Sequence, residues 1–520
     1  MDDRMPFAQA VAVANGSILD VGDAGRIEAY RGDATQTIDL GGRTMFPGFI
    51  DGHSHFFQVA LVSGAANVSA PPVGNVASIA DLVGALRAHA ARTPRKPGDW
   101  IMGFGYDGSM LRDGRDATRD DLDGAFPDVP VVLVHVSGHG CLLNSVALRV
   151  AGIDASTPAP PGGIIARNPG TNEPTGLLME NAWGQVLGIL PIPSREQALE
   201  SILAAQRAYA SNGYTTAQDA PVPERIMALY AEAARRGILY LDLVAYADGV
   251  TAPAPYVDRL RVGGVKIVLD GSPQGRTAYF TQPYLVDGPG GEKGYRGTYL
   301  VSQESLEATM RGAYACNAQV LVHCNGDAAI DMLLESHRAI GAPQGRRTTV
   351  VHSQFVRPDQ LDRYVEYGFC ASFFTNHTFF WGDLHVRNLG LERASFLSPM
   401  KSARARGIHT SNHSDFFVTP LDPLFIAWTA VNRVTRSGRV LGPQERISAH
   451  DAFKALTIDA AHQYFEEDRK GSIAPGKLAD FVVLDRNPLK IDPAEIKNVR
   501  VVETIKEGVS IYQCEAVVPA

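Results

Sequence analysis

Met45-Phe46-Pro47-Gly48-Phe49-Ile50-Asp51-Gly52-His53-Ser54-His55 is the stretch on which the fold reading turns. Apolar residues lead from a Pro-Gly entry into two histidines one residue apart. Alternate side chains of a strand share a face, so His53 and His55 are expected at a strand end, pointing the same way and able to grip one metal ion together. Two surface histidines would produce the same pattern, and the later chain has to supply the context.

Downstream, apolar runs alternate with helical stretches, which is the pattern of βα units around a parallel sheet. The runs are Tyr214–Gln218, Leu239–Ala245, Val265–Leu269, Val320–His323, Thr348–His352, Phe369–Phe373 and Gly407–Ser411. With the first strand they make eight, and helical patterns over 194–212, 223–236, 302–316 and 358–367 fall between them. The expected fold is α/β, a (β/α)₈ TIM barrel spanning 47–469.

The gap between the first and second strands is too long for one crossover. Residues 61–190 are therefore expected to form an insertion with strands of its own (100–105 and 129–135), leaving from the catalytic face of the barrel. Both chain ends read as short strands and turns: Ala10–Val13, Asn15-Gly16, Ser17–Gly22 and Thr37–Leu40 at one end, Phe481–Leu484 and 499–508 at the other. Residues 1–46 and 470–520 are expected to pair into one small β-sandwich.

With 520 residues, 45% of them hydrophobic, and a net charge of -8, the chain has no basic run to recruit nucleic acid or anionic lipid. No apolar run approaches the ~18 residues of a membrane span, and residues 1–4 lack the basic, then apolar, pattern of a leader. The five cysteines (Cys141, Cys316, Cys324, Cys370, Cys514) are widely spaced and odd in number, which fits reduced thiols in a cytoplasm. A small-molecule substrate is the expected partner, with a homodimer as a further expectation.

The polar residues at strand ends form a set. His53 and His55 end strand one, Lys266 lies in strand four, His323 ends strand five, His352 ends strand six and Asp415 follows strand eight. All converge on one mouth. Imidazoles with a carboxylate suit a borderline divalent ion, Zn²⁺ first and Co, Mn or Fe after it, and not Ca²⁺ or Mg²⁺.

The motifs Pro47 to His55, Val265-Lys266-Ile267-Val268-Leu269-Asp270-Gly271-Ser272, His323-Cys324-Asn325-Gly326-Asp327-Ala328-Ala329, Val351-His352-Ser353-Gln354 and Ser414-Asp415 resemble those of the amidohydrolase superfamily, in its amidohydrolase-3 (YtcJ-like) branch. So do Ser137-Gly138-His139, Asn144 to Leu148, Pro174 to Glu180 and Lys470 to Asp480. The resemblance implies a metal-dependent hydrolase that cleaves an amide, N-acyl amine or cyclic amide by attack of metal-bound hydroxide. It also implies a capping sandwich and a carboxylated Lys266 bridging two metals. Two departures stand out: the opening strands look shortened, and Ser411-Asn412-His413-Ser414-Asp415 replaces a plainer Gly-Ser-Asp end, which makes His413 an alternative ligand.

On this reading Asp415 touches the first metal and carries the water proton to the leaving nitrogen. His323 and His352 hold the second metal, or one of them holds the carbonyl oxygen if a single ion binds. His139 and Glu180 in the insertion line the pocket or pack within it. Arg276 anchors a substrate carboxylate or is a solvated loop residue. The aromatic run Phe373-Phe374 and Phe379-Phe380-Trp381 forms a pocket wall, a core or a dimer contact. His377, His385 and His409 are expected to be structural. A hydrolytic deaminase on the same fold, or a non-catalytic binding protein, is the competing reading.

Overall fold

The computed structural model describes residues 1, 5–94, 96, 98–191 and 193–514. The chain opens on an antiparallel hairpin of β1 (Ala10–Ala14) and β2 (Ser17–Gly22). Asn15 and Gly16 at its tip both have positive φ, 51° and 75°, the backbone for which an Asn-Gly pair is favoured in two-residue hairpins. Residues 37–40, expected as a strand, have no regular structure. Ile38 is 62% exposed there, whereas Phe46 in β3 (Thr44–Pro47) is 4% exposed. The strand forms where its apolar side chain finds a core. After Gly48, the two-residue β4 (Phe49–Ile50) begins the main sheet.

The expected insertion carries β5 (Ala66–Asn67), β6 (Ile101–Tyr106), β7 (Val131–His135), β8 (Gly140–Leu143), β9 (Gly163–Arg167) and β10 (Pro174–Glu180). They form one sheet in the order β5-β6-β7-β8-β10-β9. Alternation gives it a core on each face, one around Leu86, Leu133 and Leu142 and the other around Val132, Cys141 and Leu143.

The chain then returns to the main sheet with β11 (Tyr214–Val222), β12 (Asp242–Ala247), β13 (Ala254–Val257), β14 (Leu260–Val268), β15 (Gln319–Cys324), β16 (Thr349–His352), β17 (Cys370–Phe373) and β18 (Thr410–Asn412). All but β13, which pairs antiparallel with β14, are parallel and neighbour one another in chain order from β4 to β18. These are the eight expected strands with shifted ends; the third begins at Asp242 instead of Leu239. Helices Arg195–Ser211, Glu224–Arg235, Gln303–Ala315 and Pro358–Tyr367 lie between them.

The sheet curls, and the segments that follow its first and last strands are hydrogen-bonded to each other. Asp415 N donates to His53 O at 3.3 Å, and His55 N donates to Phe416 O at 2.8 Å. Glycine makes the approach possible, since a Cβ on Gly52 would stand 2.8 Å from Ser411 Oγ. Val265, Ile267, Val320, Val322 and Cys324 pack in the large cluster shared with the helices, and their alternates Lys266, Leu321 and His323 point inward. Tyr464 plugs the interior, its hydroxyl donating to Asp51 O at 2.6 Å.

β19 (Phe481–Leu484), β20 (Val501–Lys506) and β21 (Val509–Gln513) complete an antiparallel sheet in the order β21-β20-β19-β3. Ile18 and Val21 of the first hairpin pack against Phe481, Val483 and Ile505 of that sheet, so both chain ends contribute to one β-rich body. A buried ionic cluster fastens it to the main sheet. Lys470 Nζ lies 2.6 Å from Asp242 and 2.7 Å from Glu466, and Lys506 Nζ lies 3.0 Å from Asp242 and 2.9 Å from Asp480. Among the described residues, no helix is long and apolar enough to cross a membrane.

Candidate metal centre

β4 ends at Ile50, so both histidines lie beyond the strand and not on its pleat, His53 in a bend and His55 in an isolated antiparallel bridge with Asp219. Asp415, from the segment after β18, brings them together. Its Oδ1 lies 3.5 Å from His53 Nε2 and 3.3 Å from His55 Nε2. Lys266 reaches in from β14, with Nζ 3.1 Å from His53 Nε2. His323, from β15, places its ring centroid 4.6 Å from that of His352.

His352 does not reach the site by strand alternation. Alternation would send it outward with Val350, but φ is 73° at His352 and 43° at Ser353, in the left-handed region that non-glycine residues seldom adopt. That turn swings the ring inward, where His53, His352 and Asp415 offer ligand atoms within 4.8 Å of one another. Asp415 is also left-handed, at φ 50°. Such backbone persists when the surroundings hold it, and it gathers at functional sites.

Three of the imidazoles, His53, His352 and His323, have polar partners on their ring nitrogens. His53 Nδ1 faces Gln218 Oε1 at 2.8 Å, which leaves Nε2 to the site. His352 Nδ1 faces His413 Nε2 at 3.1 Å, and His413 Nδ1 faces Ser372 Oγ at 2.9 Å. His413 thus has both ring nitrogens engaged and stands behind His352. His323 Nδ1 lies 3.2 Å from Asp270 Oδ1, and Asn325 Nδ2 approaches its Nε2 at 3.2 Å. Asp270 accepts from the backbone N–H groups of Tyr279, Asn325 and Gly326 at 3.0, 2.9 and 2.8 Å.

The donor set fits a borderline divalent cation. Asp415 Oδ1 is buried without a hydrogen-bond partner among neighbouring imidazoles, a costly arrangement unless a cation compensates it. Burial holds His53 and His352 well below the usual histidine range, with Lys266 adding to the effect, so both imidazoles are neutral and have lone pairs to give. Burial opposes ionisation of Asp415, but the close approach of the His55 and His53 imidazoles outweighs it and holds the carboxyl low. Burial brings Lys266 down to about 7 against the pull of Asp415.

His139 and Glu180 are a pair, with His139 Nδ1 2.8 Å from Glu180 Oε2 and the His139 ring 4.9 Å from that of His323. Burial lowers the His139 pKa, and the Glu180 carboxylate more than restores it, so the net shift is upward. Arg276 is half-buried, donates to Asp287 O at 3.1 Å and has φ 62°. Phe374, Phe380 and Trp381 are buried together in a core cluster with Leu384 and Val418. His377 and His385 stack on each other with ring centroids 5.3 Å apart. Sequence reasoning passed over Gln218 and Ser372 as supports, because single polar residues in strands carry no spacing signal; Asn325 stood inside a quoted motif without a role, and Asp270 there only as a partner for Lys266.

Comparison with known proteins agrees with this geometry. The Amidohydrolase family model Amidohydro_3 matches residues 36–512. The chain is 28% identical to the N-substituted formamide deformylase of Arthrobacter pascens, over 99% of this chain and 96% of that protein. It is 29% identical to the YtcJ protein of Bacillus subtilis, over 97% and 96% of the two chains. The crystal structure of an uncharacterized metal-dependent hydrolase from Pyrococcus furiosus superimposes with a TM-score of 0.70 at 26% identity, covering 92% of this chain and 95% of that one. With the family model spanning the curled sheet, the insertion and most of the terminal strands, the chain belongs to the Amidohydrolase family.

Proposed function

We propose that this chain hydrolyses a carbon–nitrogen bond of a small molecule, an amide, N-acyl amine or cyclic amide, at a divalent metal centre held by His53, His55, Lys266, His323, His352 and Asp415. The orphaned, buried Oδ1 of Asp415 between His53 and His55 carries the reading. On the same reading the curled sheet is a closed (β/α)₈ barrel over 47–469, and residues 1–46 and 470–520 form a capping sandwich. A bound divalent ion, Zn²⁺ by the donor set, supplies Lewis acidity and lowers the pKa of water from about 15.7 to about 7.

The residues divide the remaining work. Asp415 accepts the proton of the attacking water and delivers it to the leaving nitrogen. His53 is fixed by Gln218, and His352 by His413, so that each presents Nε2 to the site. Lys266, brought down to about 7 by burial, has a share of neutral amine at physiological pH. Addition of CO₂ to that amine with loss of one proton gives a carbamate, which sets an anion with two oxygens beside His53. The His139–Glu180 pair, packed on His323, borders the substrate.

The similarity to a formamide deformylase makes N-formyl amines the first substrates to try, beside N-acetyl amines. Stripping the protein with a chelator is expected to abolish hydrolysis, and Zn²⁺, Co²⁺ or Mn²⁺ to restore it. Full activity in protein shown by elemental analysis to be metal-free would refute the assignment.

A further inference from the structure

Between the insertion and the main sheet lies a cavity of about 370 Å³. Asp107 after β6 and His135 at the end of β7 face it from the insertion, Gln274 and Arg276 from the loop after β14, and Arg387 and Asn388 from helix Asn376–Leu389. Several of these groups are engaged. Asp107 accepts from Trp381 Nε1 at 2.9 Å and from Ser109 N at 3.0 Å, His135 Nδ1 faces Ser137 Oγ at 2.7 Å, and Arg276 binds the Asp287 carbonyl.

Gln274 and Asn388 differ. They are 7% and 1% exposed, yet Gln274 Oε1 and Asn388 Nδ2 have no hydrogen-bond partner. A buried amide left unpaired bears its full desolvation, and native structures rarely leave one so without a reason. Here two such amides, from different elements, line one cavity and leave an acceptor and a donor unused. Charge around them is mixed: Arg276 and Arg387 stand against Asp107 and Asp116 on the lining, and Arg115, also on it, is paired with Asp121 at 2.7 Å. That balance favours neither an anion nor a cation.

The end of β10 links the cavity to the candidate metal centre. Met179 lines the cavity, and the next residue, Glu180, holds the His139 ring that packs on His323. We infer that this cavity receives the part of the substrate distal to the scissile bond, and that Gln274 and Asn388 select a neutral group with both donor and acceptor, such as a carboxamide. The inference rests on the hydrolase reading above.

Three probes of one length separate the alternatives: N-acetyl-β-alaninamide, N-acetyl-β-alanine and N-isopentylacetamide, which end in a carboxamide, a carboxylate and a hydrocarbon. Binding to the full-length protein is measured by isothermal titration, with turnover followed in parallel. The carboxamide is expected to bind about tenfold more tightly than either counterpart, roughly the factor of one net hydrogen bond. Gln274→Met and Asn388→Leu are each expected to bring that preference near unity at unchanged metal content. Gln274→Met is also expected to keep or raise Tm, since it removes an unpaired polar atom, and Gln274→Glu serves if Asn388→Leu does not fold. Equal affinities, preference for the carboxylate, no binding of any probe, or a preference that survives these substitutions would overturn the inference. Turnover without preference refutes the cavity's role and leaves the hydrolase reading; selective binding without turnover of any probe refutes the hydrolase reading and leaves the cavity.

Discussion

Lys470→Met probes the ionic cluster that fastens the terminal β-body to the main sheet. The Lys470 side chain is 1% exposed and touches Asp242 at 2.6 Å and Glu466 at 2.7 Å, and its Nζ also lies 3.2 Å from Thr216 Oγ1 and 3.1 Å from Tyr256 OH. Methionine keeps the stem's packing and removes the charge. Breaking a buried pair costs about 3–5 kcal/mol. The lower end applies, because Asp242 retains Lys506 at 3.0 Å and Arg259 at 3.2 Å, and Glu466 retains Arg261 at 2.7 Å. We expect a loss of about 3 kcal/mol at pH 7 by urea unfolding with metal content matched, read on the first transition since the chain is too large for two-state treatment. Burial pulls the Lys470 pKa down, but Asp242 and Glu466 carry it above the ordinary value. Its contribution is therefore present below about pH 10.4 and lost as pH rises through the folded pKa. Burial pushes Asp242 up, and Lys470 and Lys506 bring it below the ordinary value, so its contribution holds above about pH 3.9 and fades as pH falls through the folded pKa. The difference between parent and variant is then flat between those limits. A loss below about 1 kcal/mol throughout would show that solvent screens the cluster as at a surface pair and would refute the reasoning.

Three further outcomes are expected. Asp415→Asn lowers kcat by about 10²-fold or more, the scale of a general acid–base group, with the fold intact by circular dichroism; a kcat within a few fold of the parent excludes it as proton carrier. Lys266→Ala loses activity, and a short carboxylic acid in the buffer restores part of it by standing in for a carbamate; rescue by a primary amine instead would assign the role to the ammonium. His139→Ala and Glu180→Gln shift KM and substrate preference more than metal content, and equal loss of metal by elemental analysis would make them ligands.

Much of the architecture was legible because it rests on local signals. Short apolar runs separated by helical stretches marked all eight parallel strands, and alternation alone points Lys266 and His323 inward. What escaped depends on backbone departures and distant pairing. His53 and His55 were read as pleat neighbours, yet they lie past a two-residue strand and meet through Asp415. His352 enters through a left-handed turn that no composition rule flags. Residues 37–40 have strand-like composition but no partner strand, and the clustering of Asp242, Glu466, Lys470 and Lys506 joins charges more than 200 residues apart in the chain. The unpaired amides of Gln274 and Asn388 become visible only when the cavity between insertion and sheet exists.

Anomalous diffraction at the zinc, cobalt and manganese edges, on crystals of protein purified without chelator and assayed for amide hydrolysis, tests the central claim most directly. The account predicts one or two anomalous peaks within coordination distance of His53, His55, His323, His352 and Asp415, with density on Lys266 Nζ for a carbamate. Active protein whose crystals show no anomalous peak among those side chains, and a bare ammonium on Lys266, would contradict it.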